Sequence, residues 1–195
     1  MLSKKVLLLV SLVAFSHFAC DFCQGSLGLV IPLLKEEMDL DYFTASLVVF
    51  LYDLGLAVFP VVLGAISDRL SNNLLLPIGC FLSGIGLILT SISSSLGGVF
   101  LGVILAGIGL SAAHSEGAKQ TYLIGNARPG LSMSLFALGG NAGFSIAPIA
   151  AGLVAVNLGR PGFISMTIPA FLGGILLFSL AQMFRKHADN SATDN

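Results

Sequence analysis

Ionisable side chains set inside apolar runs carry the chemistry of this chain. The stretch Ala112–Gln120 places His114, Glu116 and Lys119 at the end of a long apolar segment, and His17, Asp21 and Asp53 lie within two earlier ones. Each such group costs about 2.5–3.5 kcal/mol in hydrocarbon, so each needs a proton, a partner or water. His17, Asp21, Gln24 and Gly28 recur at helical spacing and share one narrow stripe. His17 and Asp21 can form a proton-responsive or substrate-contacting pair, or a hydrogen bond that locks helix packing. Asp53 can pair with His17 or His114 in either kind of role. His114 and Glu116, two residues apart, point about 200° from each other on a regular helix. His114 is therefore the better cavity candidate. Glu116 shares a side with Lys119 and Gln120, where Glu116–Lys119 can brace the inner end as an ion pair.

The elements that hold these residues are all apolar. The chain of 195 residues is 55% hydrophobic and 10% charged, against about 25% charged in soluble domains. Six long runs, without the alternation of barrel strands, predict an all-α polytopic bundle of six transmembrane helices. The expected spans are 6–34, 42–66, 74–92, 99–123, 131–156 and 163–184. Residues 1–184 make one bundle, and 185–195 form a polar tail expected to be unstructured. The start, Lys4-Lys5 followed by Val6–Ala19, has the look of a signal peptide. The run continues past Cys20, so an uncleaved helix is expected.

The short inner loops and ends hold Lys4, Lys5, Arg69, Lys119, Arg128, Arg185 and Lys186, and the outer ones only Lys35 and Arg160. That bias places both termini in the cytoplasm. The third and sixth segments have no ionisable interior residue, whereas the other four carry polar groups, Asn141 of the fifth among them. The pattern suggests two three-helix repeats, with polar helices facing a cavity or partner and clean ones facing lipid. Gly139, Gly143, Ala147 and Ala151 form a ladder of small residues for close helix contact, and Pro148 removes one helical hydrogen bond. Cys20 and Cys23 have C-x-x-C spacing, but an apolar helix makes them packing residues rather than a redox or metal pair. No phosphate loop, nucleophile elbow or zinc-protease motif occurs, so no enzyme, cofactor or metal centre is expected. A net charge of -1 without a basic block excludes nucleic acid as an expected partner. The expected partners are membrane lipid and a small-molecule substrate.

Gly64-Ala-Ile-Ser-Asp68-Arg69-Leu-Ser71-Asn72-Asn73 resembles the G-x-x-x-D-[RK]-x-G-x-[RK]-[RK] loop of the major facilitator superfamily, with Ser71 in place of the glycine. Gly143-x-x-x-Ala147-Pro148-x-x-Ala151-Gly152 is similar to the fifth-helix antiporter motif, two glycines being alanine here. Val103 stands where that superfamily has a fourth-helix arginine, so arginine-mediated proton coupling is not implied. Ser16-His17-x-x-x-Asp21, Ala113-His114-Ser115-Glu116 and Met133-Ser-Leu-Phe136-Ala137-Leu-Gly139-Gly140-Asn141-x-Gly143 resemble the fosmidomycin-resistance branch, with Ser115 for its proline and Ala137 for its glutamine. The resemblance implies a twelve-helix transporter in two halves with alternating access, of which this chain is the first half. It also implies proton-coupled export of a small molecule or drug across a bacterial inner membrane. Gly64, Asp68 and Arg69 would form an inner gate, and a second six-helix half, separate or a second copy, would complete the transporter. The alternative is a non-transporting remnant or membrane assembly subunit.

Overall fold

The computed structural model describes residues 2–69 and 74–193, with side chains described for 2–67 and 74–180. Helices α1 (Lys4–Glu37), α2 (Tyr42–Arg69), α3 (Leu75–Ile92), α4 (Leu96–Ile124), α5 (Pro129–Leu158) and α6 (Ile168–Thr193) follow in order, with a 3-10 segment, Arg160–Thr167, before α6. Among the described residues, six helices are long and apolar enough to cross a membrane. The shortest, α3, has 18 residues and spans about 27 Å at 1.5 Å per residue, close to the ~30 Å hydrocarbon layer.

Local sequence sets several helix starts. Ser3 Oγ accepts from the Val6 amide at 3.3 Å and Ser95 Oγ from the Gly98 amide at 3.2 Å. Asp41 Oδ1 accepts from the Thr44 amide at 2.7 Å, and Pro129 opens α5. The three oxygens satisfy amides that have no partner within the first helical turn, and Pro129 has no amide hydrogen to leave unpaired. Two expectations at the C-terminal end need correction. The sixth segment begins as a 3-10 turn because Gly159, at φ 63°, and Pro161 break the chain direction after α5. Residues 185–193, expected to be unstructured, continue the α6 backbone helix.

The helices meet along glycine seams. A Cβ at Gly86 would lie 2.3 Å from the Ala106 amide nitrogen, and one at Gly109 2.3 Å from that of Ser83, so α3 and α4 touch backbone to backbone. The α1–α5 seam is equally tight: Cβ atoms at Gly139 and Gly143 would sit 2.2 Å and 2.1 Å from the Ala14 and Phe18 carbonyl oxygens. Gly107 of α4 meets the Tyr52 carbonyl of α2 in the same way, at 2.4 Å. Apolar surface gains little from leaving lipid for a protein interior, so this close approach is what holds the bundle. The pairing is symmetric. Exchanging α1 with α4, α2 with α5 and α3 with α6 turns the α1–α5 contact into α4–α2 and α1–α6 into α4–α3, all of which are present. That is the arrangement of two three-helix repeats.

The burial pattern departs from one expectation. The clean helix α3 was expected to face lipid, yet 56% of its residues are buried, against 17% of an 18-residue apolar stretch in α2 and in α5. The small residues that keep α3 free of charge also let it pack between α4 and α6. It is α2 and α5 that present open apolar faces, with Phe50, Val58 and Val61 on one and Ile149, Leu153 and Val156 on the other.

Arg160, counted in the sequence only as an outer-loop charge, ties the outer ends together. It is 8% exposed. Its Nε donates to Glu37 Oε2 at 2.5 Å, and one Nη donates to the Ser93 and Thr90 carbonyls at 2.8 and 3.3 Å. The guanidinium thus neutralises the carbonyl end of α3, where the helix dipole is negative, and links it to α1. Arg160→Ala is expected to lower stability by about 2 kcal/mol, the range of hydrogen bonds to charged groups, and Arg160→Lys to recover only part, because an ammonium lacks the planar fork. Thermal unfolding in detergent measures both.

Candidate functional site

Three helices bring one carboxylate and two imidazoles together. On α1, one helical turn separates His17 from Asp21, and His17 Nε2 lies 3.3 Å from Asp21 Oδ2. From α4, His114 Nε2 reaches Asp21 Oδ1 at 2.7 Å. From α5, the Phe136 carbonyl lies 2.8 Å from His17 Nδ1, and the Phe136 ring stacks on the His17 ring at 4.0 Å. The two imidazoles meet edge to face at 4.7 Å. The Asp21 and His17 side chains are 11% and 12% exposed, and that of His114 is 32% exposed. The cluster is therefore open on its His114 side.

These contacts restrict where protons can sit. A carbonyl only accepts, so His17 Nδ1 carries a hydrogen and donates it to Phe136. His17 Nε2 and Asp21 Oδ2, 3.3 Å apart, form an ion pair when the imidazole is protonated. His114 Nε2 donates to Asp21 Oδ1 when Asp21 is ionised. The three groups lie within 4.8 Å of one another, and their separations are those of direct hydrogen bonds and a close ion pair.

Gly140 makes this geometry possible. A Cβ there would lie 2.4 Å from His17 Cε1 and 2.5 Å from Asp21 Oδ2, so only glycine lets α5 close over the pair. In the sequence it is the neighbours Gly139, Gly143 and Asn141 that stand out instead. Gly139 and Gly143 form the α1–α5 seam, while Asn141 is exposed and does not join the cluster. Gly140 and Phe136 were both legible only as parts of the Phe136–Gly143 motif; their contact with His17 needed the α1–α5 register.

The remaining candidates fall elsewhere. Asp53 is exposed and pairs with neither histidine. With Gln24 and Gly28 it lines a separate cavity of about 370 Å³ between α1 and α2, which also touches Tyr52, Val103 and Phe144. Glu116, 2% exposed, faces α2, away from His114, as helical geometry requires. It accepts a short hydrogen bond from the Ser67 hydroxyl and another from Gln120 Nε2 at 2.6 Å. Lys119 Nζ donates to that same Ser67 oxygen at 3.0 Å. The expected direct Glu116–Lys119 ion pair is thus replaced by a hydroxyl that both groups share. Ser67, which joins α2 to α4, stands in the sequence only as an unassigned position of the Gly64–Asp68 motif, because its partner on α4 is distant in the chain. A Cβ at Gly64 would meet no described atom within 4 Å, Pro148 lies inside α5, and Gly152 makes only a loose 4.0 Å approach to Leu29. The side chains of Asp68 and Arg69 lie outside the described residues. Cys20 and Cys23 are buried free thiols, Cys20 contacting Cys80 at 3.5 Å and Cys23 the Met166 carbonyl at 3.6 Å.

Residues 13–194 match the model of the Major Facilitator Superfamily. Among curated proteins, the fosmidomycin resistance protein of Escherichia coli (strain K12) is 27% identical over 172 residues, 88% of this chain and 42% of that protein. An uncharacterized MFS-type transporter, YfnC of Bacillus subtilis (strain 168), is 25% identical over 173 residues, 89% of this chain and 42% of its own length. The chain thus spans less than half the length of these relatives.

Gly140→Ala is expected to cost about 1–3 kcal/mol, the range for overpacking, and to lengthen both contacts to Asp21. Thermal unfolding gives the first. Nitrogen-15 shifts of the histidine rings report the second, since displacing His17 from Phe136 frees its tautomer.

Proposed function

Because this chain belongs to the Major Facilitator Superfamily, we propose that it is half of a membrane transporter that exports a small molecule in exchange for protons. The observation that supports this best is the placement of Asp21 between His17 and His114. A buried group that is neutral with one proton and charged with another couples its own ionisation to conformation, because exposing it to water stabilises the charged state and sealing it stabilises the neutral one. Here the seal is α5, which closes over the pair at Gly140. Gln24 and Asp53 form the neighbouring substrate wall, and Asn141, exposed on α5, faces the transport path once the partner half is in place.

The open faces of α2 and α5 take that partner, a second six-helix unit. Gly64, Asp68 and Arg69 act as the inner gate against it, backed by the Glu116–Ser67–Lys119 bridge from α4. The protein spans the bacterial inner membrane with both termini in the cytoplasm, following the distribution of Lys and Arg.

The name of the Escherichia coli relative makes fosmidomycin the first compound to try. The chain is co-expressed with a second six-helix unit, and drug efflux and counter-movement of protons are followed in inverted vesicles. Asp21→Asn is expected to bring both to the level of vesicles without the protein, since the amide cannot carry the proton. His114→Gln, which keeps a hydrogen-bond donor, is expected to leave substrate binding in place and to remove the dependence of efflux on the pH gradient. Export by Asp21→Asn at the unmodified rate would sink the proposal.

A further inference from the structure

Two imidazoles and one carboxylate converge on one point from α1 and α4, and such a trio can do more than hydrogen-bond. One ligand atom from each of His17, Asp21 and His114 lies within 4.8 Å of the other two. In a four-coordinate site with bonds of about 2.0–2.1 Å, neighbouring ligand atoms stand about 3.3 Å apart. His17 Nε2 and Asp21 Oδ2 are already at 3.3 Å. His114 Nε2 is closer, at 2.7 Å from Asp21 Oδ1, and its side chain, 32% exposed, is the least enclosed of the three.

The surroundings are those of a ligand set. The Phe136 carbonyl fixes His17 Nδ1 as the nitrogen that bears hydrogen, so the lone pair of the neutral ring sits on Nε2, toward Asp21. A backbone carbonyl on the other ring nitrogen is a usual outer partner of a metal-bound histidine. The stacked Phe136 ring holds the plane of the imidazole. With glycine at 140, no side chain covers His17 Nε2 or Asp21 Oδ2, each of which lies 2.5 Å from where a Cβ would be. The opening on the His114 side leaves one coordination position to water or another small ligand.

We propose that His17, Asp21 and His114 form a binding site for a divalent transition-metal ion of the zinc class. Two imidazole nitrogens and one carboxylate oxygen suit Zn²⁺ or Co²⁺, whereas Mg²⁺ and Ca²⁺ take shells of oxygen. The ion bonds to the Nε2 lone pair of each ring. A proton on His17 Nε2 leaves to water, and that on His114 Nε2 shifts to Nδ1. Such a site stands on its ligand geometry, whether or not the cluster carries protons for transport.

The test uses the purified chain, without a histidine tag, in lipid nanodiscs. Equilibrium dialysis is expected to find one Zn²⁺ per chain at concentrations where Mg²⁺ does not bind. Nitrogen-15 shifts of the His17 and His114 rings are expected to move on adding Zn²⁺. Co²⁺ is expected to show the visible bands of four-coordination without a thiolate charge-transfer band, which separates this site from the three buried cysteines. His114→Ala is expected to weaken Zn²⁺ binding by about tenfold or more. His114→Cys, which restores a ligand, is expected to recover binding and to add the thiolate band, a change that a packing role could not produce. Both variants are checked for the unmodified elution profile. Absence of saturable Zn²⁺ binding, equal binding of Mg²⁺, a thiolate band in the unmodified chain, or unchanged affinity in His114→Ala would each overturn the proposal. Proton-linked efflux lost in Asp21→Asn, without saturable Zn²⁺ binding, sinks the metal site and leaves the transporter reading intact. Saturable binding that is lost in His114→Ala supports the site even if no export is found.

Discussion

A carboxylate in the middle of an apolar helix cannot be left to itself. Asp21 is satisfied by groups from two helices, and its neighbour His17 by a carbonyl from a third. That requirement ties the rotation of α1, α4 and α5 about their own axes to one another. Turning any of the three by a fraction of a helical turn would part an imidazole from the carboxylate or its carbonyl. The cluster is thus a chemical group and also a register pin for half the bundle, in the way buried polar residues can specify a unique packing.

The pin works because the backbones come close enough. Gly139, Gly140 and Gly143 put α5 against α1 at distances that no Cβ would tolerate. Two of these glycines make the seam, and the one between them makes room for the polar pair. The same device joins α3 to α4 and α2 to α4. In lipid, packing has to supply the attraction that water supplies to a soluble core, so small residues are concentrated where helices cross. At the outer end, Arg160 adds a different bond, closing the carbonyl terminus of α3 onto Glu37 of α1.

Polar groups are accordingly divided among three levels. The outer clamp joins Arg160 to Glu37 and the α3 carbonyl end, and the inner bridge joins Glu116 and Lys119 through Ser67. The central cluster sets Asp21 between the imidazoles of His17 and His114. Asp53 stands apart, since its side chain opens into a cavity rather than onto another helix. Bonded ends and a polar centre thus coexist with open apolar faces on α2 and α5.

Much of this is written locally. Hydropathy and length determined six spanning helices, and the i, i+4 spacing of His17 and Asp21 determined that they meet on one stripe, because both depend only on residues near each other in the chain. Helical periodicity also determined that His114 and Glu116 diverge. The tertiary structure decided what they diverge toward: His114 to Asp21, and Glu116 to Ser67 rather than directly to Lys119. It separated Asp53 from the histidines, buried α3 where a clean helix was expected in lipid, and gave Gly140, not Asn141, the place beside the cluster. Those outcomes depend on how helices distant in sequence rotate and slide against one another. That choice is made by steric fit at backbone-to-backbone seams, to which the period of a single helix is blind.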